Sequence, residues 1–131
     1  LGFKVLGEKK GFTQSHQAVV NMLDYGDGGK IEADLEKANI IVNRQLIPGD
    51  IKAKRNYMQP GGIRLGSSEI TRLGMKESEM QQIASFIKQV VIDKKDANGI
   101  ANEVIEFRKN YQKTEFCFDN KLGAYEYVKL R

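Results

Sequence analysis

The sequence has no tryptophan, one cysteine, one histidine and two prolines in 131 residues. Cys117 alone excludes an internal disulfide. It sits among alternating aromatics with no second histidine to pair with, so it reads as a small packed side chain rather than a nucleophile. His16 has no Cys or Asp cluster near it at ligand spacing, so no metal site is expected and the imidazole reads as a hydrogen-bonded structural group. No apolar run approaches the ~20 residues that span a bilayer. Residues 1–6 lack the basic-then-apolar pattern of a secretory signal, and Leu1 is not an initiator Met, so the chain is expected to be a fragment of a cytoplasmic protein with no membrane partner. Neither G-x-G-x-x-G nor G-x-x-x-x-G-K-[ST] occurs, which removes the usual nucleotide-binding arguments, and no paired carboxylates stand out.

What is present is ordinary for a globular protein: 40% hydrophobic and 29% charged residues, enough chain for one domain with a modest core. The net charge of +4 is spread along the chain. Only Lys52, Lys54 and Arg55, beside Asn56 and Tyr57, form a dense basic stretch. It reads as a solvated loop; the alternative is phosphate contact, as in a free-standing nucleic-acid-binding module.

Short strands and helices alternate without repeats. Gln17 to Leu23 is apolar apart from Gln17 and Asn21 and predicts a buried strand. Asp27 can cap a helix over about 28–38, with Ile31, Leu35 and Ala38 on one face. Asn39 suits a left-handed cap, and the β-branched run Ile40, Ile41, Val42 predicts a strand delivering Asn43 to a long loop, Arg44 to Gly62, that holds both prolines. Ile63 to Gly66 predicts a brief strand. Ser67 or Ser68 can then cap a helical turn ending at Gly74. Met80, Ile83, Ala84, Ile87, Val90 and Val91 predict a helix, and Asp96 caps another through Ile100, Val104, Phe107 and Tyr111. Phe116, Phe118, Tyr125 and Tyr127 alternate around a turn, predicting a hairpin over 114–131. The expected fold is α/β (α+β), a small, mainly antiparallel sheet covered by helices on one side.

The best ligand-binding candidate is Arg64, alone in the short apolar strand of Pro60-Gly61-Gly62-Ile63-Arg64-Leu65-Gly66-Ser67-Ser68. Flanking glycines let backbone or ligand approach, and a guanidinium held by a strand can grip a carboxylate through two parallel hydrogen bonds. The structural alternative is that Arg64 pairs with an internal acid or reaches to solvent.

The order Ser15-His16, strand, helix, Ile41-Val42-Asn43, Pro48-Gly49-Asp50, Gly62-Ile63-Arg64-Leu65-Gly66, Ile70-Thr71-Arg72, Gly74 and Glu79-Met80 resembles the small domain of serine hydroxymethyltransferases, over about residues 12 to 92. The resemblance implies the carboxy-terminal domain of a fold-type I pyridoxal-phosphate enzyme, a cytoplasmic homodimer that moves the serine hydroxymethyl carbon reversibly to a reduced pterin and leaves glycine. It implies that Arg64 holds the substrate carboxylate and that Asn43 and Gln45 lie near the pterin. The cofactor lysine belongs to the family's large domain, which has no matching segment here, so no catalytic residue is expected in this chain and the fragment alone is expected to be inactive. The family's V-N-K-N is here Val42-Asn43-Arg44-Gln45, Gly61 stands where Ser is usual, Ser67-Ser68 replaces Thr-Pro, and Leu73 replaces an Arg. These departures imply an archaeal-like branch using tetrahydrofolate or a modified pterin such as tetrahydromethanopterin. The alternative within the enzymes is another pyridoxal-phosphate enzyme with this small domain, such as a threonine aldolase.

Overall fold

A computed structural model describes residues 1–115. The hairpin expected over 114–131, with Cys117, lies outside the described residues except for Thr114 and Glu115, and Glu115 forms an isolated parallel bridge with Leu73.

Four strands, β1 (Lys4–Val5), β2 (Gln17–Asn21), β3 (Asn43–Gln45) and β4 (Gly62–Gly66), form one sheet in the order β1-β2-β4-β3, antiparallel throughout. Side chains alternate across a strand, so the register sorts them by face. Val5, Val20 and Ile63 share one face, with Ala18, Leu65 and Arg44. Three long helices supply the rest of that core: Ile31 and Leu35 from α1 (Gly28–Lys37), Phe86, Ile87, Val90 and Val91 from α3 (Glu77–Val91), and Ile100 and Val104 from α4 (Ala97–Arg108). The core thus lies between one sheet face and a helix layer. Short α2 (Ser68–Arg72) links β4 to α3.

Local signals explain most boundaries. Asp27 caps α1 by accepting from the Lys30 N–H at 2.9 Å, Asp96 caps α4 from the Gly99 N–H at 3.0 Å, and Asn39 ends α1 with φ +59°. Gly28 lies where α1 begins against β4. A Cβ there would sit 2.0 Å from the Gly62 carbonyl oxygen, so only glycine lets the two backbones meet.

Three expectations are corrected. Strand β3 is Asn43–Gln45, not Ile40–Val42. Val42 is buried and Ile41 is 77% exposed, an extended alternation, but β4 runs alongside only at residues 43–45, and a strand exists only where a partner takes its hydrogen bonds. Ser67 precedes α2 without capping it; its hydroxyl donates to the His16 carbonyl at 3.2 Å. Helix α4 ends at Arg108, so Tyr111 lies beyond it, its ring 5.3 Å from that of Phe107. Phe86, absent from the expected stripe, is buried edge-on to Phe107 at 5.7 Å.

Candidate functional site

Strand β4 fixes which way the candidate side chains point. Ile63 enters the helix-covered core, so Arg64, one residue on, emerges on the opposite face. Asn43 pairs directly with Arg64, and Gln45 pairs with Gly62, so all three predicted site residues occupy that open face. The Arg64 Nη2 donates to Asn43 Oδ1 at 3.1 Å. No carboxylate among the described residues lies within ion-pair distance of Arg64. Gln45 is half-buried, and its Nε2 donates to the neighbouring Leu46 carbonyl at 3.0 Å.

Arg44, between the two amides, faces the other way. Its main-chain N–H donates to Glu32 Oε1 at 3.1 Å and its Nε to Glu32 Oε2, tying β3 to α1. Its Nη1 lies 3.9 Å from the Met58 sulfur.

The loop 46–61 is closed from inside by Asp50, 2% exposed. Its Oδ2 accepts from the Ile47 N–H at 2.9 Å and the Gly61 N–H at 2.7 Å, and its Oδ1 lies 3.8 Å from Arg55 Nε. The glycines before Arg64 serve this closure rather than a ligand. A Cβ on Gly61 would sit 2.6 Å from Asp50 Oδ1, and one on Gly62 2.5 Å from Ile47 Cγ2. Gly66 has open space where its Cβ would be.

The basic stretch is divided. Arg55 turns to Asp50, while Lys52, Lys54 and Tyr57 are exposed with Ile51 and Met58. The expected hydrogen-bonded imidazole is not found: His16 is exposed and it is its main-chain carbonyl that accepts, from Ser67 N–H at 2.9 Å and the Ser67 hydroxyl. Among the described residues no group of three His, Cys, Asp or Glu could hold a metal ion, and no helix is long and apolar enough to cross a membrane.

In α2, Arg72 grips Glu69 through two bonds, 2.9 and 2.7 Å, and holds that carboxyl below its ordinary value. Arg72 Nη1 also donates to Thr114 Oγ1 at 2.9 Å, which docks the segment after α4 onto α2.

A family model described as serine hydroxymethyltransferase matches residues 1–87. The chain belongs to the serine hydroxymethyltransferase family. It is 80% identical over 130 residues to a serine hydroxymethyltransferase of Nitrosopumilus maritimus (strain SCM1) and 67% identical over 131 residues to one of Cenarchaeum symbiosum (strain A). It covers 99% and 100% of itself in these matches and spans about 30% of the length of each relative. Both relatives are archaeal, in line with the expected branch. Among solved structures it is similar to the L-threonine transaldolase of Pseudomonas fluorescens in its internal aldimine state, with a TM-score of 0.72 and 30% identity over 94% of this chain and 27% of that one. The α/β class with a small antiparallel sheet and helices agrees with this neighbour.

Within this chain, two residues that shape the site were not singled out by sequence reasoning. Asp50 had a signal, since Pro48-Gly49-Asp50 belongs to the family resemblance, but no role followed from it. Glu32 had none: it is a helix residue whose partner lies 12 positions away on a strand.

Proposed function

We propose that this chain is the carboxy-terminal small domain of a serine hydroxymethyltransferase and that Arg64 holds the carboxylate of its amino-acid substrate, serine or glycine. One observation carries this reading: a guanidinium on the open face whose side-chain hydrogen bond goes to an amide and not to an acid. A guanidinium has five N–H donors in a planar fork; one is taken by Asn43, which leaves an aligned pair for a carboxylate. Asn43 and Gln45 add an amide donor and an amide acceptor to the same face, the complement of a pterin edge, and the extra methylene of Gln45 suits a pterin other than ordinary tetrahydrofolate.

In the whole protein the serine hydroxymethyl carbon passes reversibly to tetrahydrofolate or tetrahydromethanopterin and leaves glycine. Pyridoxal phosphate, when bound, supplies the electron sink for breaking the Cα–Cβ bond of serine. The residues flanking Arg64 across the sheet, Val19 and Asn43, offer no amine for a Schiff base and, beyond the single amide of Asn43, no cluster of donors for a phosphate, so they do not fit the cofactor. The cofactor falls to the remainder of a cytoplasmic homodimer, and this chain alone is inactive. The part played here is binding: a carboxylate gripped at one end by a planar pair of donors seats the amino acid in one place.

In the full-length protein, Arg64→Lys lowers kcat/KM for serine by about 10- to 100-fold, the value of one charge-assisted hydrogen bond. An unchanged kcat/KM would overturn the assignment. The threonine transaldolase neighbour favours a second reading, a pyridoxal-phosphate enzyme acting on threonine. Serine cleavage that depends on added pterin supports the first; pterin-independent activity on threonine alone supports the second.

A further inference from the structure

Arg64 has one side-chain anchor among the described residues, Asn43, and Asn43 lies on a three-residue edge strand. So short a strand, paired on one side only among the described residues, has little of its own to fix its position. What fixes it from the other side is Glu32. This carboxylate projects from the second turn of α1, 19% exposed, onto Arg44, 25% exposed. Its two oxygens take different donors of one residue, the main-chain N–H and the side-chain Nε of Arg44. The main-chain bond matters most: it engages the N–H of the residue next to Asn43 and so sets where Asn43 stands relative to β4. A continuous chain of contacts then runs from helix α1 through Glu32, the Arg44 backbone and Asn43 to the Arg64 guanidinium.

We propose that Glu32 is a positioning residue for the amino-acid substrate: it acts from the helix side of the sheet, through Arg44 and Asn43, to hold Arg64 aimed at the carboxylate. The proposal rests on the reading of Arg64 as the carboxylate grip. Both partners are largely withdrawn from water, so the pair is less screened than a surface ion pair and its loss is felt locally. Since Glu32 stands on the opposite face from Arg64, its loss changes how well the carboxylate is held and leaves the chemistry at the distant reacting bond to other groups.

The test uses the full-length protein with steady-state kinetics on serine and calorimetric titration of glycine. Glu32→Ala raises KM for serine and Kd for glycine about fivefold, with kcat changed by less than about twofold, in the range of coupling between neighbours in one network. Arg44→Lys keeps the main-chain bond to Glu32 and gives a smaller rise than Glu32→Ala. Introduced into an Asn43→Ala background, Glu32→Ala adds little, because the same link is already cut. Should Glu32→Ala fail to fold, Glu32→Gln, which retains one acceptor oxygen for the Arg44 N–H, gives a smaller rise in KM and Kd that is likewise absorbed by Asn43→Ala. A fall in kcat and melting temperature with KM unmoved, or full additivity with Asn43→Ala, overturns the proposal in favour of a purely structural pair. If Arg64→Lys lowers kcat/KM while Glu32→Ala leaves KM and Kd unmoved, only the positioning role fails; if Arg64→Lys leaves kcat/KM unmoved, the carboxylate reading itself fails.

Discussion

A carboxylate removed from water costs several kcal/mol unless its oxygens find donors, and Asp50 finds two main-chain N–H groups and an arginine. Removing it strands both N–H groups inside the loop. Asp50→Ala is therefore expected to destabilise the protein by about 2–5 kcal/mol in urea unfolding, and Asp50→Asn, which can still accept, by less. A cost below ~1 kcal/mol for Asp50→Ala would show that the loop is held by other contacts. At this scale Arg64 was legible in the sequence because one arginine in an apolar, glycine-flanked strand is conspicuous. Of the two approaches the flanking glycines allow, backbone and ligand, the first is seen at Gly62, where a Cβ would sit 2.7 Å from the Val20 carbonyl oxygen; Asp50 and Ile47 of the same loop fill the remaining space at Gly61 and Gly62. Such a contact links residues 11 or more apart, and no local pattern reports it.

Strand β3 shows how far a propensity carries. Ile40, Ile41 and Val42 favour an extended backbone, but hydrogen-bonded pairing begins at Asn43, where β4 comes alongside. Two substitutions read this directly. Ile41→Lys is expected to change stability by no more than about 0.5 kcal/mol, since Ile41 already faces solvent. Val42→Lys puts an ammonium into the core and is expected to cost more than about 2 kcal/mol by thermal unfolding; the reverse order would overturn this assignment of inward and outward faces. Helix α3 carries a pH-dependent element at its start. The Lys76 N–H donates to Glu79 Oε2 at 2.7 Å, and this bond, then the Ser78 hydroxyl, holds the Glu79 carboxyl below its ordinary value. A lowered folded value means that the stabilisation is complete above the unfolded value and is lost as pH falls through the folded one. The melting-temperature gap between the parent and Glu79→Gln is thus expected to be full at neutral pH and to close in acid, as pH falls through the lowered folded value. A gap independent of pH would remove Glu79 from this role. The same carboxylate, after burial, raises the Tyr111 hydroxyl above its usual value and links α3 to the segment beyond α4.

In the whole molecule, the helix layer takes one sheet face and leaves the other to Arg64, Asn43 and Gln45. Alternation along Gly62-Ile63-Arg64-Leu65-Gly66 settled in the sequence that Ile63 and Arg64 face opposite ways, because the pleat has a period of two. The caps Asp27, Asn39 and Asp96 and the apolar stripes of α1, α3 and α4 were likewise local chemistry, readable without a fold. The tertiary structure alone decided which strand meets β4 and in what register. That register sets Asn43 opposite Arg64, turns Arg44 back onto Glu32 and closes the 46–61 loop on Asp50. Each of these joins residues distant along the chain, and their geometry depends on pairing and burial, which a sequence pattern does not encode one residue at a time.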